Sequence, residues 1–424
     1  MRSPQFSDRT TDAVKAIALV FDGGLVFSRP ISFVVAGAAS AATLTTASAL
    51  SPLYPVYQRL WGFSSFTLTL IFAAYAIALL AALLTIGSLS DRVGRRPVAS
   101  GALILLALGT LLFTVAGGSG GLIAARIVQG IAVGAGTGTI TAMIMDSAPS
   151  PRSGSIVSSA VPMLGVAVGA ILAGALVEFA PLPRDLVFWV LAAGYLMLAV
   201  AVLFIPERAP APSIAPESIW RSLLPSVGLP SAVRPTFLAL IPSIGAPWAL
   251  SGLYLSLGSS VIGNVLAVHS HFVVSIVLGV FYVAAMSGTA ISATLPPASR
   301  QWFGYGTLLL GVLLTITAVL LNVLPLYVTG SAVAGLGLGA TFQFAVNALG
   351  EVAPSAHRGQ VFATMYVVSY AAFSVPTLAA GLAAGRYGLE PTVVTYGALD
   401  IALVLIAMLV GISRARRRVV ENAI

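Results

Sequence analysis

Twelve runs of mainly apolar residues, each close to twenty long, recur along this chain, centred near residues 42, 77, 107, 133, 167, 196, 247, 282, 313, 338, 372 and 402. A helix of ~20 apolar residues is long enough to cross the hydrocarbon core of a bilayer. No soluble core could hide all twelve, because only 8% of the 424 residues are charged and 58% are hydrophobic. The runs are rich in Leu, Ala and Gly and lack the strict alternation of a barrel strand, so an all-α integral membrane protein is expected.

Composition also removes several kinds of chemistry. With no Cys and 3 His, the chain offers no thiolate, no disulfide and no helical pair of metal-ligating imidazoles, so neither a metal nor a cofactor is expected. There is no Ser-His-Asp set, no paired acid cluster and no Walker sequence, which argues against an enzyme and against an ATP-driven pump. The net charge of +8 would suggest nucleic acid in a soluble protein. Here its distribution answers to the membrane: Arg2, Arg9, Lys15, Arg29, Arg92, Arg95, Arg96, Arg152, Arg208, Arg221, Arg234, Arg300, Arg358 and the tail Arg414, Arg416, Arg417 and Arg418 fall on one side, whereas the other keeps Arg59, Arg184 and Arg386. By the positive-inside bias both termini are expected in the cytosol of a multi-pass cell-membrane protein, of the bacterial inner-membrane kind, with lipid rather than nucleic acid around it.

The longest polar interval runs from Pro206 to Pro235 and is rich in proline. It divides the chain into a cytosolic arm (1–30), a first six-helix bundle (31–206), a linker (207–234), a second bundle (235–412) and a basic tail (413–424). The halves resemble each other at an offset of 205 residues. "DSAPSPRSG" from Asp146 matches "EVAPSAHRG" from Glu351, and "RIVQGIAVGA" from Arg126 matches "SAVAGLGLGA" from Ser331. Two matches at one offset indicate a parallel repeat related by a pseudo-two-fold axis along the membrane normal, with a solute held between the halves.

Two signatures carry a family resemblance. The loop Gly87-x-Leu89-x-Asp91-Arg92-x-Gly94-Arg95-Arg96 and the fourth-span run Arg126-x-x-Gln129-Gly130 resemble those of the Major Facilitator Superfamily, as do twelve spans with a central linker. The antiporter signature of the fifth span is reduced to "GAILAG", with Ala170 and Ala173 where it has Pro and Gly. The resemblance implies secondary transport of small organic solutes by alternating access. Proton-coupled efflux of metabolites or drug-like compounds is the leading expectation, uptake by symport or facilitated diffusion the alternative and a non-transporting sensor the remote one; a monomer is expected. It also implies that Asp91 latches onto the eleventh helix in the outward-open state while Arg95 and Asp146 form a relay, a set expected to include Gly87, Arg92, Gly94 and Arg96. The second half has "ATLPPASRQ" at the equivalent place, so Arg300 survives there without its acid or glycines.

Other expectations follow from the cost of polarity within a bilayer. Arg126 lies about five residues inside the fourth span, roughly 8 Å at 1.5 Å per residue, with Gln129 one turn deeper. It is read as a cavity residue for anionic groups or coupling, against the alternative of an arginine snorkelling to the interface. Trp248, Ser251 and Tyr254 of the seventh span, Gln343 and Asn347 of the tenth, and Tyr54 of the first are the remaining cavity candidates, with interfacial anchoring the alternative for Tyr54. Candidate proton sites are Glu178 and Asp400, although a paired structural role is the stronger expectation for Asp400. Gly130, Gly134, Gly165, Gly169 and Gly174 are expected to pack helices closely, the last three across the boundary between the halves.

Overall fold

A computed structural model describes residues 26–86, 90–207, 228–354 and 357–421. Gly87, expected in the latch, and most of the amino-terminal arm and linker lie outside them, as do the side chains of Asp91 and Arg92. Among the described residues there is no strand, and twelve helices are long and apolar enough to span a membrane. They are α1 (Arg29–Trp61), α2 (Ser65–Ile86), α3 (Arg95–Val115), α4 (Ser119–Ser147), α5 (Pro151–Phe179), α6 (Leu186–Phe204), α7 (Arg234–Ser256), α8 (His271–Thr294), α9 (Ser299–Leu321), α10 (Leu324–Val352), α11 (Arg358–Tyr387) and α12 (Leu389–Ser413). The last helix continues without a break to Glu421, so the start of the basic tail extends α12 rather than leaving it.

Local chemistry sets several boundaries. Ser150 caps α5 by accepting from the Ser153 amide, with Pro151 at the first helical position, where a missing N–H costs nothing. Ser270 accepts from the Val273 amide at the start of α8, and Gly62 ends α1 in the left-handed region at φ 65°, which a residue without Cβ adopts freely. Within α1 the backbone tightens into a 3-10 turn over Ser51–Leu53, where Pro52 withholds a donor from the ladder.

Glycines then decide which helices meet. A Cβ on Gly130 or Gly134 of α4 would lie 2.4 Å from the Tyr75 carbonyl oxygen or 2.3 Å from that of Leu79 on α2; on Gly335 or Gly339 of α10 it would lie 2.1 Å from that of Phe281 or 1.9 Å from that of Ala285 on α8. The same contact is thus built twice, once in each half, at the positions the repeat aligns. Gly165 and Gly169 correct the sequence expectation. Their nearest neighbours are the carbonyls of Ala41 and Thr45 on α1, so they close α5 onto its own half; helical spacing shows that glycines share a face but not what covers it. Gly174 alone of the three crosses the boundary, against Ser275 and His271 of α8.

The halves join symmetrically, α5 against α8 and α2 against α11. On the second pair Gly381 sits over Thr69, and the Phe72 and Phe373 rings are 4.7 Å apart. Call the end bearing the residue 87–96 loop the basic end and the other the far end. At the far end the Ser51 hydroxyl donates to the Leu255 carbonyl at 2.7 Å, the Phe272 amide donates to Glu178 Oε2 at 3.2 Å, and Phe179 meets Phe272 edge-on at 5.4 Å. Around the outside, Trp189, Met197, Leu238, Val375 and Leu409 are exposed, an apolar belt suited to lipid.

Candidate functional site

Between the halves lie two separate hollows. A narrow central cavity of about 60 Å³ is walled by α1, α2 and α5 on one side and α7, α8, α10 and α11 on the other. Its residues with polar groups are Ser251, Trp248, Tyr75, Tyr282 and Tyr370; among the described residues its wall includes no acidic or basic side chain. Trp248 is held edge-on by Phe342, Tyr370 and Phe373, at centroid distances of 5.5, 4.9 and 5.7 Å. Ser251 shares a 2.7 Å hydrogen bond with Tyr282, whereas the Tyr75 hydroxyl has no partner among the described residues. Towards the basic end a vestibule of about 180 Å³ opens between the halves, with Arg152 from the first half and Arg300, Gln343 and Asn347 from the second. Gln343 donates to Asn347 Oδ1 at 3.1 Å.

Of the eight expected cavity residues from α1, α4, α7 and α10, the structure therefore brings Trp248 and Ser251 to the central cavity and Gln343 and Asn347 to the vestibule. Arg126, Gln129, Tyr54 and Tyr254 stand behind the wall. Arg126 is 0% exposed. Its guanidinium donates to the Thr46 carbonyl at 2.8 Å, to the Tyr54 hydroxyl at 3.0 Å and to Gln129 Oε1 at 3.3 Å, and it faces the Tyr75 ring with its carbon 5.4 Å from the centroid. Gln129 passes the network on to Thr110 at 2.9 Å. This arginine neither snorkels nor lines the cavity; it ties α1, α3 and α4 together behind Tyr75. In the second half Ser331 occupies the repeat position and bonds the Tyr254 hydroxyl at 2.9 Å, so a short pair does there what the charged network does in the first half. Tyr54 is consequently a buried partner, not an interfacial anchor.

At the basic end Arg95 forms an ion pair with Asp146 and donates to the Ala142 carbonyl at 3.3 Å, an arrangement that offsets a carboxylate placed at the carboxyl end of α4, where the helix dipole disfavours it. Glu207, which the sequence reading left in the linker, completes the cluster by accepting from the Arg95 amide at 2.5 Å. Arg96 Nε donates to the Ile205 carbonyl. Gly94 is favoured by its φ of 102°, a conformation that side chains with a Cβ rarely adopt. These contacts weld α3, α4 and the end of α6 within the first half. The sequence signal for Glu207 was an acid directly after an apolar run in "IPER". Arg300, the repeat partner of Arg95, donates to the Leu295 carbonyl at 2.9 Å and is one of the residues that line the vestibule.

The two candidate proton sites are not on the central wall. Glu178 lies exposed at the far end, on the amino terminus of α8. Asp400 is buried, and contrary to the paired role expected for it neither carboxyl oxygen has a partner among the described residues.

A family model for the Major Facilitator Superfamily matches residues 36–377. The chain belongs to the Major Facilitator Superfamily. It is thus a multi-pass membrane transporter and not an enzyme. Solved Major Facilitator structures share its fold: a bacterial homologue of the human lysosomal transporter Spinster, inward-facing and unoccupied, at TM-score 0.71 and 15% identity over 90% of this chain and 97% of that one; a POT family transporter in complex with 5-aminolevulinic acid, at 0.71 and 13% over 91% and 96%; and the human organic anion transporter MFSD10 (TETRAN), at 0.64 and 17% over 90% and 100%. In sequence it is similar to YwtG of Bacillus subtilis (strain 168), named for metabolite transport, with 28% identity over 149 residues. That match spans 34% of this chain and about a third, 32%, of the relative.

Proposed function

We propose that this transporter moves small organic anions with an apolar or aromatic body out of the cytosol by alternating access. The observation that carries the reading is a vestibule with an arginine from each half, Arg152 and Arg300, and, between the same halves, an uncharged aromatic cavity around Trp248. Positive charge at a mouth raises the local concentration of anions, and a mainly apolar pocket with a few hydroxyls suits the remainder of such a solute. The positive-inside bias makes the basic end cytosolic, so a structure tied at the far end and open at the vestibule is inward-facing.

That orientation also supplies a driving force. Moving one negative charge outward across an inside-negative membrane is favourable by ~2.3 kcal/mol per 100 mV. Proton-coupled efflux, expected from sequence, has less support because no carboxylate or histidine lines the cavity. Arg126 acts in this reading as a positioning residue behind Tyr75, and Arg95, Asp146 and Glu207 as the rigid basic end of the first half.

The test is transport in proteoliposomes holding a pH dye, with an imposed potential and three probes of one shape: an aromatic carboxylate, its amide and the matching amine. The carboxylate is expected to move fastest, at a rate that follows the potential while internal pH stays constant. Arg300→Gln should raise the KM for the carboxylate by about tenfold, the loss of ~1.4 kcal/mol, and Trp248→Ala should weaken the carboxylate and the amide alike. Equal transport of all three probes by Arg300→Gln and the unaltered protein would refute the anion assignment, and alkalinisation or acidification that tracks solute would restore proton coupling.

A further inference from the structure

Asp400 is the deepest acid of the chain and stands outside the machinery described above. It lies eleven residues beyond Leu389, roughly 16 Å along α12 at 1.5 Å per residue, near the middle of a 25-residue span. Its exposure is 1%, and neither Oδ1 nor Oδ2 has a hydrogen-bond partner among the described residues. An acid at that depth is costly and by default functional.

Asp400 is among the residues that line a cleft of about 760 Å³ between α7, α11 and α12, with both carboxyl oxygens just beneath its surface. Small residues make the room: Ala249, Ala380 and Ala383 line it where larger side chains would fill it. The Tyr396 hydroxyl, one turn away, is spent on the Ala249 carbonyl at 2.7 Å and does not answer the acid. Tyr387, Leu399 and Ile406 border the cleft and are 65%, 64% and 46% exposed on the lipid-facing surface, so the mouth opens sideways into the bilayer. No residue is shared between this wall and that of the central cavity.

We propose that this cleft is a second binding site, which takes a lipophilic amine from the bilayer with its ammonium group on Asp400 and its apolar body along α11 and α12. The volume lies within the range of small-molecule sites, ~300–1,000 Å³. Charge selects the class: an acid with no partner is complemented best by a cation that brings its own apolar shell, whereas an anion is repelled and a neutral ether gains at most one hydrogen bond. Phospholipid ammonium groups carry the same charge but reside at the interface, about half the ~30 Å core thickness away.

The test uses the full chain in phosphatidylcholine nanodiscs and a photoreactive N,N-dimethyloctylamine, with the octyl methyl ether as its uncharged counterpart. The amine should label peptides of α11 and α12, with or without added phosphatidylethanolamine, and Asp400→Asn should cut its labelling about tenfold while the ether is unaffected. Ala383→Trp, which leaves the carboxyl group in place and fills the cleft, should abolish labelling and decides the matter if Asp400→Asn does not fold. Unchanged amine labelling in either folded variant, labelling confined to the Trp248 cavity, or displacement by phosphatidylethanolamine would overturn the proposal.

Discussion

Arg126→Met should unfold the first half at a lower temperature than the unaltered protein, by a loss of about 1–3 kcal/mol, the cost of leaving buried acceptors without their donor. The substitution strips donors from the Thr46 carbonyl, the Tyr54 hydroxyl and Gln129 Oε1 at once. Arg126→Lys should recover little, because an ammonium on a single stem cannot span the fork that holds Thr46 and Tyr54 together. Thermal unfolding of the purified variants, followed by tryptophan fluorescence or by retention of a monodisperse peak, measures this directly. A Met variant as stable as the unaltered protein would show that the network adds nothing to the fold.

Two glycine-to-alanine changes should move stability in opposite directions. In Gly339→Ala the new methyl would meet the Ala285 carbonyl at 1.9 Å, so α8 and α10 must separate, at a cost of about 1–3 kcal/mol typical of overpacking. Gly101→Ala on α3 adds the same methyl where nothing lies within 4 Å. Freed of a steric penalty, it should stabilise by up to ~1 kcal/mol through helix propensity. The pair is read in one thermal-unfolding experiment, and a common sign for both would contradict the packing described for α8 and α10.

These contrasts show where sequence was informative. Span number and position, the repeat, and the glycine contacts of Gly130 and Gly134 were legible because each follows from local composition or from internal comparison. Arg126 was recognisable as costly, but its role was not: its partners Thr46 and Tyr54 come from another span, and a helical wheel does not say whether a polar face meets solvent, substrate or protein. Glu207 was hidden by the proline-rich segment that follows it. For Gly165 and Gly169 the shared face was visible and the neighbour was not, since α1 and α8 both offer close-packing surfaces to α5. Asp400 was read as paired because the twelfth span is peripheral in the family it resembles, and only the three-dimensional arrangement shows its carboxyl oxygens buried without a partner among the described residues.

The absence of native cysteine allows the central claim, a cavity reached from the cytosol and closed at the far end, to be tested with single introduced thiols. Ser155→Cys places one in the vestibule, and Thr69→Cys places one beneath Gly381 at the far end, at a position that is 0% exposed. A membrane-impermeant maleimide applied to right-side-out and inside-out vesicles should label Ser155→Cys only from the cytosolic face and should leave Thr69→Cys unlabelled until a transported anion is supplied. Rapid labelling of Thr69→Cys from outside without solute, together with protection of Ser155→Cys from the cytosolic side, would contradict the account.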